Sequence, residues 1–392
     1  MNPVTTQEKQ SQTATQRQNP LLDLQKQGQS IWLDYIRRDL LTNGELRRLI
    51  HEDGLRGMTS NPSIFEKAIT GSPDYAVQLD QLIAQGLNAG NIFERIAVQD
   101  IQNAADTLFP VYQSSNKHDG YVSIEVTPTL AHDTQGSIEE ARRLWKEVKR
   151  PNLMVKIPGT VEGVPAVRQL IGEGLNINIT LLFAQEAYIA VAEAFMDGLE
   201  AALKAGKDIS SIASVASFFV SRIDTLVDST IDKELQNPGG PGREQLLRSL
   251  HGKVAIANAK QAYRSYQQMI AGPRWRALAG RGAQPQRLLW ASTSTKNPKY
   301  RDVLYIEELI GPETVNTIPP ATMDAFRDHG IVRRTLDADL AAADKTMSDL
   351  EKSGISMKKV TDQILDEGIK LFDDAFSKLI SAVDQKISQK RK

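Results

Sequence analysis

A lysine, two carboxylates and several small polar side chains occupy alternate positions in short, otherwise apolar runs of this sequence. In NLMVKIPGT (152–160), Lys156 interrupts an apolar stretch that stops on Pro158-Gly159. Taking an ammonium out of water is costly without a partner. A lysine here is therefore either half of a structural ion pair or a reagent, because a neutral lysine amine attacks carbonyl carbon and forms a Schiff base. Free lysine, with a pKa of ~10.4, is almost wholly protonated at neutral pH. Burial lowers such a value and neighbouring carboxylates raise it. Asp34 in IWLDYI and Glu125 in YVSIEVTP are carboxylates suited to divide the proton transfers, one at the imine and one at a substrate hydroxyl. Other chemistries lack their parts. The chain has no cysteine and only five histidines, never in a close cluster, so a thiolate nucleophile and the usual ligands for metal-assisted carbonyl chemistry are missing. His132, beside Asp133, reads as a loop residue, and His51, His118, His251 and His329 carry no assignment.

The elements that must position these groups alternate. Strand candidates are IWLDYI (31–36), GLRGMT (54–59), YVSIEVTP (121–128), NLMVKIP (152–158), GLNINIT (174–180), SIASVASF (211–218), RLLWAS (287–292) and ETVNTI (313–318). Between them lie segments of helical periodicity, such as 136–150 and 184–206, with Gly, Pro, Ser and Asn at the junctions. Strands alternating with helices predict a parallel sheet covered by helices, and eight such units in about 300 residues fit a closed (β/α)8 TIM barrel. Residues 62–118 and 223–285 are helical insertions, and the segment beyond 330 reads as two or three further amphipathic helices. A doubly wound open sheet is the alternative, without the GxGxxG fingerprint or the P-loop that often accompanies it. No fixed-period repeat and no second domain are evident: the expectation is a barrel over 21–392 behind a polar, disordered arm over 1–20.

Side chains alternate along a strand, which sorts each run into two faces. Val155 and Ile157 oppose Lys156; Val122, Ile124 and Val126 oppose Ser123, Glu125 and Thr127; Ile177 and Ile179 oppose Asn176, Asn178 and Thr180. Thr59 and Asn61 share a side where the second strand ends. One interior then collects Asp34, Thr59, Asn61, Glu125, Lys156, Asn178, Thr180 and Ser217, mostly near C-terminal strand ends, where barrel enzymes keep their chemistry. Each residue alone has an ordinary structural explanation, as an ion pair, a turn or a core hydrogen bond. Their convergence has none, since a barrel filled for stability prefers branched apolar side chains.

Composition bounds the rest. Lys and Arg number 47 against 48 Asp and Glu, which leaves no basic field for nucleic acid. No apolar run approaches membrane-spanning length and the first twenty residues have no apolar leader, so no membrane partner is expected and a cytoplasmic location is. The sequon at Asn178 reads as a chance match.

Six ordered motifs, TSNPSIF (59–65), SIEV (123–126), MVKIPGT (154–160), NINITLLF (176–183), SFFVSRIDTLVD (217–228) and WASTSTKNP (290–298), together resemble transaldolase. WASTSTKNP and NTIPPAT resemble its longer bacterial-type branch. The likeness runs from about Ile31 to His329, and more loosely beyond. It implies transfer of a dihydroxyacetone unit between phosphorylated sugars in the non-oxidative pentose phosphate pathway, from sedoheptulose 7-phosphate or fructose 6-phosphate to an aldose phosphate, with no cofactor and no metal. By motif it implies Lys156 as the Schiff-base lysine, Asp34 as base at the C4 hydroxyl, and Glu125 acting through a water that Thr180 helps hold. It implies Asn61 and Asn178 as contacts to the three-carbon unit, with Thr59 shaping the wall. Phosphate is expected where Ser217 and Arg222 open a helix, with Ser294 and Lys296 assisting; shorter family members carry arginine at the position of Lys296, and lysine lacks that planar fork. Trp290 and Phe219 read as packing or wall residues. The assembly is expected to be a monomer or homodimer. Rival readings are a Schiff-base aldolase that releases free dihydroxyacetone and a non-catalytic phosphosugar-binding protein; retention of Lys156, Glu125 and Asp34 argues against the second.

Overall fold

The computed structural model describes residues 19–390. Eight parallel strands close into a barrel in sequence order: β1 Gln29–Asp34, β2 Gly57–Thr59, β3 Tyr121–Glu125, β4 Leu153–Pro158, β5 Ile177–Leu182, β6 Ser214–Phe219, β7 Arg287–Ala291 and β8 Thr314–Ile318, with β8 pairing back to β1. The open doubly wound alternative is thereby excluded. Residues 1–18 of the expected arm lie outside the described residues. Its last two start a helix, Pro20–Lys26: Pro20 is the first helical residue and Asn19 caps it by accepting the Leu21 N–H at 3.0 Å.

The sheet is parallel and closed because both of its faces are covered. Val122, Val155, Ile157, Ile177 and Ile179 are fully buried beneath the surrounding helices. The helices carry the matching stripe. In Thr134–Val148, Ile138, Ala141, Leu144 and Val148 recur every three or four residues and are buried, Asp133 caps the N-terminus through the Gly136 N–H at 2.9 Å, and Lys149 ends it in the left-handed region. The insertion after β2 forms the helices Pro62–Gly71, Ala76–Ala84 and Ala89–Ser114; that after β6 forms Ser221–Glu234, Pro241–Leu250, Val254–Ala271 and Pro273–Ala279. Beyond the helix Pro320–His329, the chain adds Leu340–Lys352 and the long helix Met357–Lys390.

Inside the barrel the two ends differ. At the N-terminal end, Arg287 donates to Ser30 at 2.8 Å and to Asp119 at 2.9 Å, and Asp119 also accepts from Ser30 at 2.7 Å and from the Trp32 indole at 3.2 Å. Trp32 occupies the space beside Gly57, where a Cβ would meet the indole at 2.5 Å; no larger residue fits there. The polar groups singled out by strand alternation gather at the other end.

One strand is irregular. The β5–β6 register shifts between Ile179 and Leu182, and Leu181 sits at φ +59°. Such bulges re-aim side chains next to functional sites, and this one directly follows Thr180.

Candidate active site

Strand register sets the site. Glu125 pairs with Lys156, Lys156 with Asn178, Pro158 with Thr180, and Asp34 with Thr59, so these residues lie at neighbouring heights around the C-terminal rim. Lys156 is only 5 % exposed. Its Nζ lies 2.9 Å from Glu125 Oε2 and donates to the Ser60 carbonyl at 3.0 Å. Burial pushes the Glu125 carboxyl above its ordinary range, the adjacent ammonium opposes this, and Asp34 reinforces it. Burial likewise pushes Asp34 up, against the Thr59 hydroxyl, which donates to its Oδ1 at 2.7 Å, and the cations Lys156 and Lys296. Two buried carboxylates thus act on one lysine amine, and dryness makes each of them a weaker acid than a free carboxyl.

The amides are oriented rather than free. Asn178, fully buried, donates to Ser123 Oγ at 3.0 Å and accepts from Ser217 Oγ at 2.7 Å. Asn61 spends its carbonyl oxygen capping the helix Pro62–Gly71 through the Ile64 N–H at 3.0 Å, which aims its amide nitrogen away from the helix. The hydroxyl of buried Thr180 has no hydrogen-bond partner among the described residues, whereas Oε2 of Glu125 is engaged by the lysine ammonium. Buried polar atoms are nearly always paired, so this hydroxyl is available to a water or a substrate.

A cavity of about 160 Å³ opens here, lined among others by Asp34, Thr59, Asn61, Lys156, Thr180, Ser217, Arg222, Ser294 and Lys296. Arg222, near the start of the helix Ser221–Glu234, keeps one buried Nη1 unpaired and lies 5.6 Å from the Phe219 ring centroid. Lys296 donates to Ser294 at 2.7 Å. Burial and the facing Arg222 push the Lys296 ammonium below its usual value, and burial does the same to Arg222. Two cations forced together, one with an idle donor, make a seat for a dianion. The β6–helix junction is tied to the Lys296 loop by the Ser221 N–H to Ser292 carbonyl bond at 3.0 Å and the Ser221–Ser292 hydroxyl contact at 2.9 Å.

Two expectations need correction. Ser217 lies on β6 inside the barrel, hydrogen-bonded to Asn178, and does not open the helix with Arg222. Thr127 faces outward: β3 ends at Glu125, and Thr127 bonds Glu140 on the helix Thr134–Val148 at 2.8 Å. Trp290 packs against Phe218 and Phe219 lines the cavity, in keeping with their reading as packing and wall residues. Sequence reasoning also passed over Thr317, whose hydroxyl meets that of Thr59 at 2.7 Å, and Phe372 of the helix Met357–Lys390, which lines the cavity. Applying the face test to the last strand finds Thr317. Nothing local points to Phe372. Asn178 is fully buried on its strand, which leaves its sequon inaccessible.

Comparison with known proteins agrees with this geometry. A family model described as transaldolase/fructose-6-phosphate aldolase matches residues 31–383. The chain belongs to that family. The match extends well past His329 into the long C-terminal helix, further than the motifs alone reach. The chain is 49% identical to a protein named transaldolase 2 from Nostoc sp. over 94% of its own length and 98% of that protein's. It is 47% identical to a transaldolase from Trichodesmium erythraeum and 45% to one from Acidothermus cellulolyticus, each over 95% of this chain and 98% of the relative. No helix among the described residues is long and apolar enough to cross a membrane.

Proposed function

We propose that this family member is a transaldolase: it carries a dihydroxyacetone unit from sedoheptulose 7-phosphate or fructose 6-phosphate to an aldose phosphate through a Schiff base on Lys156. The observation that carries the reading is the dry Glu125–Lys156 pair, 2.9 Å apart at the strand ends, with Asp34 facing the same cavity as Lys156. Glu125, through a water held with the unpaired Thr180 hydroxyl, shuttles the protons by which the lysine becomes a neutral nucleophile and the carbinolamine loses water. With the imine formed at C2, Asp34 takes the C4 hydroxyl proton. The C3–C4 bond breaks, its electron pair enters the enamine, and the shortened aldose leaves. The acceptor aldehyde then adds by the reverse step, Asp34 returns the proton, and water hydrolyses the new imine. Asn61 and Asn178 hold the hydroxyls of the three-carbon unit beside the Thr59 wall, while Arg222, Ser294 and Lys296 bind phosphate. Ser217 acts by orienting Asn178. The reading includes a cytoplasmic setting in the non-oxidative pentose phosphate pathway and a monomer or homodimer.

The test is borohydride trapping with fructose 6-phosphate followed by peptide mapping. A reduced three-carbon adduct is expected on Lys156. Lys156→Ala abolishes it, and Lys156→Arg also fails because a guanidinium stays protonated. An adduct on another lysine would sink the mechanism. The family description also covers aldolases. Phe219, with no hydroxyl to position water, favours transfer, and rapid release of dihydroxyacetone by the wild type without acceptor would favour the aldolase instead.

A further inference from the structure

The cavity has two aromatic walls, Phe219 from β6 and Phe372 from the helix Met357–Lys390, and neither carries a polar atom. The Phe372 ring centroid stands 5.9 Å from Lys156 Nζ, and the side chain is 5 % exposed although the residue lies far outside the barrel in sequence. Its helix is held down over the rim. Phe376, one turn on, meets Phe93 edge to face at 5.7 Å, and Lys390 pairs with Asp80 at 2.5 Å. One turn before, Gly368 lies so close to Arg222 and Leu181 that a Cβ would approach each at 3.1 Å. Glycine weakens a helix interior, and here it permits the close approach. The helix therefore rests on the phosphate arginine and on the β5 bulge, and the ring faces the amine. Among the lining residues the exposed one is Lys296, so the cavity is open on that side and covered on the side of Phe372.

What such a cover does follows from the chemistry, and it rests on the Schiff-base reading above. After C3–C4 cleavage Lys156 holds an enamine. Protonation of its nucleophilic carbon by a solvent proton gives an iminium, and addition of water releases dihydroxyacetone and regenerates the lysine ammonium. The two steps consume one proton and one water and end the cycle without transfer. A wall that donates no proton and admits no water slows the first of them.

We propose that Phe372 is a specificity-determining residue of this reaction, its ring shielding the enamine on Lys156 from solvent until an aldehyde enters past Lys296. The test compares wild type, Phe372→Ala and Phe372→Leu with fructose 6-phosphate. It measures free dihydroxyacetone released without acceptor against transfer to erythrose 4-phosphate, and traps each protein with borohydride. The release-to-transfer ratio is expected to rise at least tenfold in Phe372→Ala and several-fold in Phe372→Leu, with the adduct still on Lys156. Phe372→Leu keeps the apolar bulk, so it decides the matter if the alanine variant does not fold. A merely structural role would lower release and transfer together, and an unchanged ratio in a folded variant overturns the proposal. A wild type that yields no adduct removes the Schiff base itself, and this proposal with it.

Discussion

At the scale of single residues, the site is built by withholding water from charges. Asp34 and Glu125 both titrate above the ordinary carboxylate range because burial outweighs their partners. For activity the sign is direct: a base must be ionised, so the acid limb of the pH–rate profile should lie above the usual values of about 4. For stability the sign is opposite. A carboxyl whose pKa is raised on folding favours the folded state below its unfolded value, and that contribution is lost as pH rises through the folded value. Asp34→Asn keeps an oxygen for the Thr59 hydroxyl but cannot ionise. It is expected to form the trapped imine and cleave it on the order of 10²–10⁴ more slowly. At neutral pH it should also unfold no more easily than wild type. Unchanged turnover would take Asp34 out of its role as base. Much of this was legible in the sequence because a strand's period of two sorts side chains without knowledge of partners. Lys156, Glu125, Asp34 and Thr180 all fell on the correct face. Thr127 did not, because the face test presumes that the strand continues, and β3 stops two residues earlier.

At the scale of elements, the proposed phosphate seat depends on joining two strand ends. Arg222 comes from the helix after β6 and Lys296 from the loop after β7, and the Ser221–Ser292 bonds bring the two cations to one cavity. Tyr300 adds a second tie, donating to Asp228 of the Arg222 helix at 2.6 Å. Arg222→Ala removes the cation whose buried Nη1 has no partner. Loss of a charge-assisted hydrogen bond should raise KM for phosphorylated sugars on the order of ten- to a hundred-fold with a smaller effect on kcat. Inorganic phosphate, as a competitive inhibitor, should weaken in parallel; an unaltered inhibition constant would put phosphate elsewhere. The candidate strands all appear in the fold, with ends shifted by up to three residues, because apolar runs mark strands but hydrogen bonding marks their ends. The placement of the long helix Met357–Lys390 was not legible. Its amphipathic period shows that it buries one face, and a period cannot say which surface receives that face. That is why Phe372 escaped notice.

At the scale of the whole molecule, the barrel divides its interior between chemistry at one end and cohesion at the other. The Asp119–Arg287 pair lies at the N-terminal end, where Asp119 accepts from Ser30, Trp32 and Arg287 and helps close the bottom of the barrel. Both partners are nearly buried, so the pair itself adds little net stability, but breaking it leaves an uncompensated cation with several unpaired donors. Asp119→Ala should therefore cost about 3–5 kcal/mol, read as a lower denaturation midpoint. Asp119→Asn, which keeps the acceptor oxygen and loses the charge, should cost less. Replacing both partners with apolar residues, Asp119→Leu with Arg287→Met, should recover much of the loss, because no buried charge then lacks its partner. None of these changes touches the cavity at the opposite end, so kcat per folded molecule should stay at the wild-type value in all three. A stable Asp119→Ala variant with impaired turnover would show that the two ends are coupled through the strands and that the division of labour does not hold.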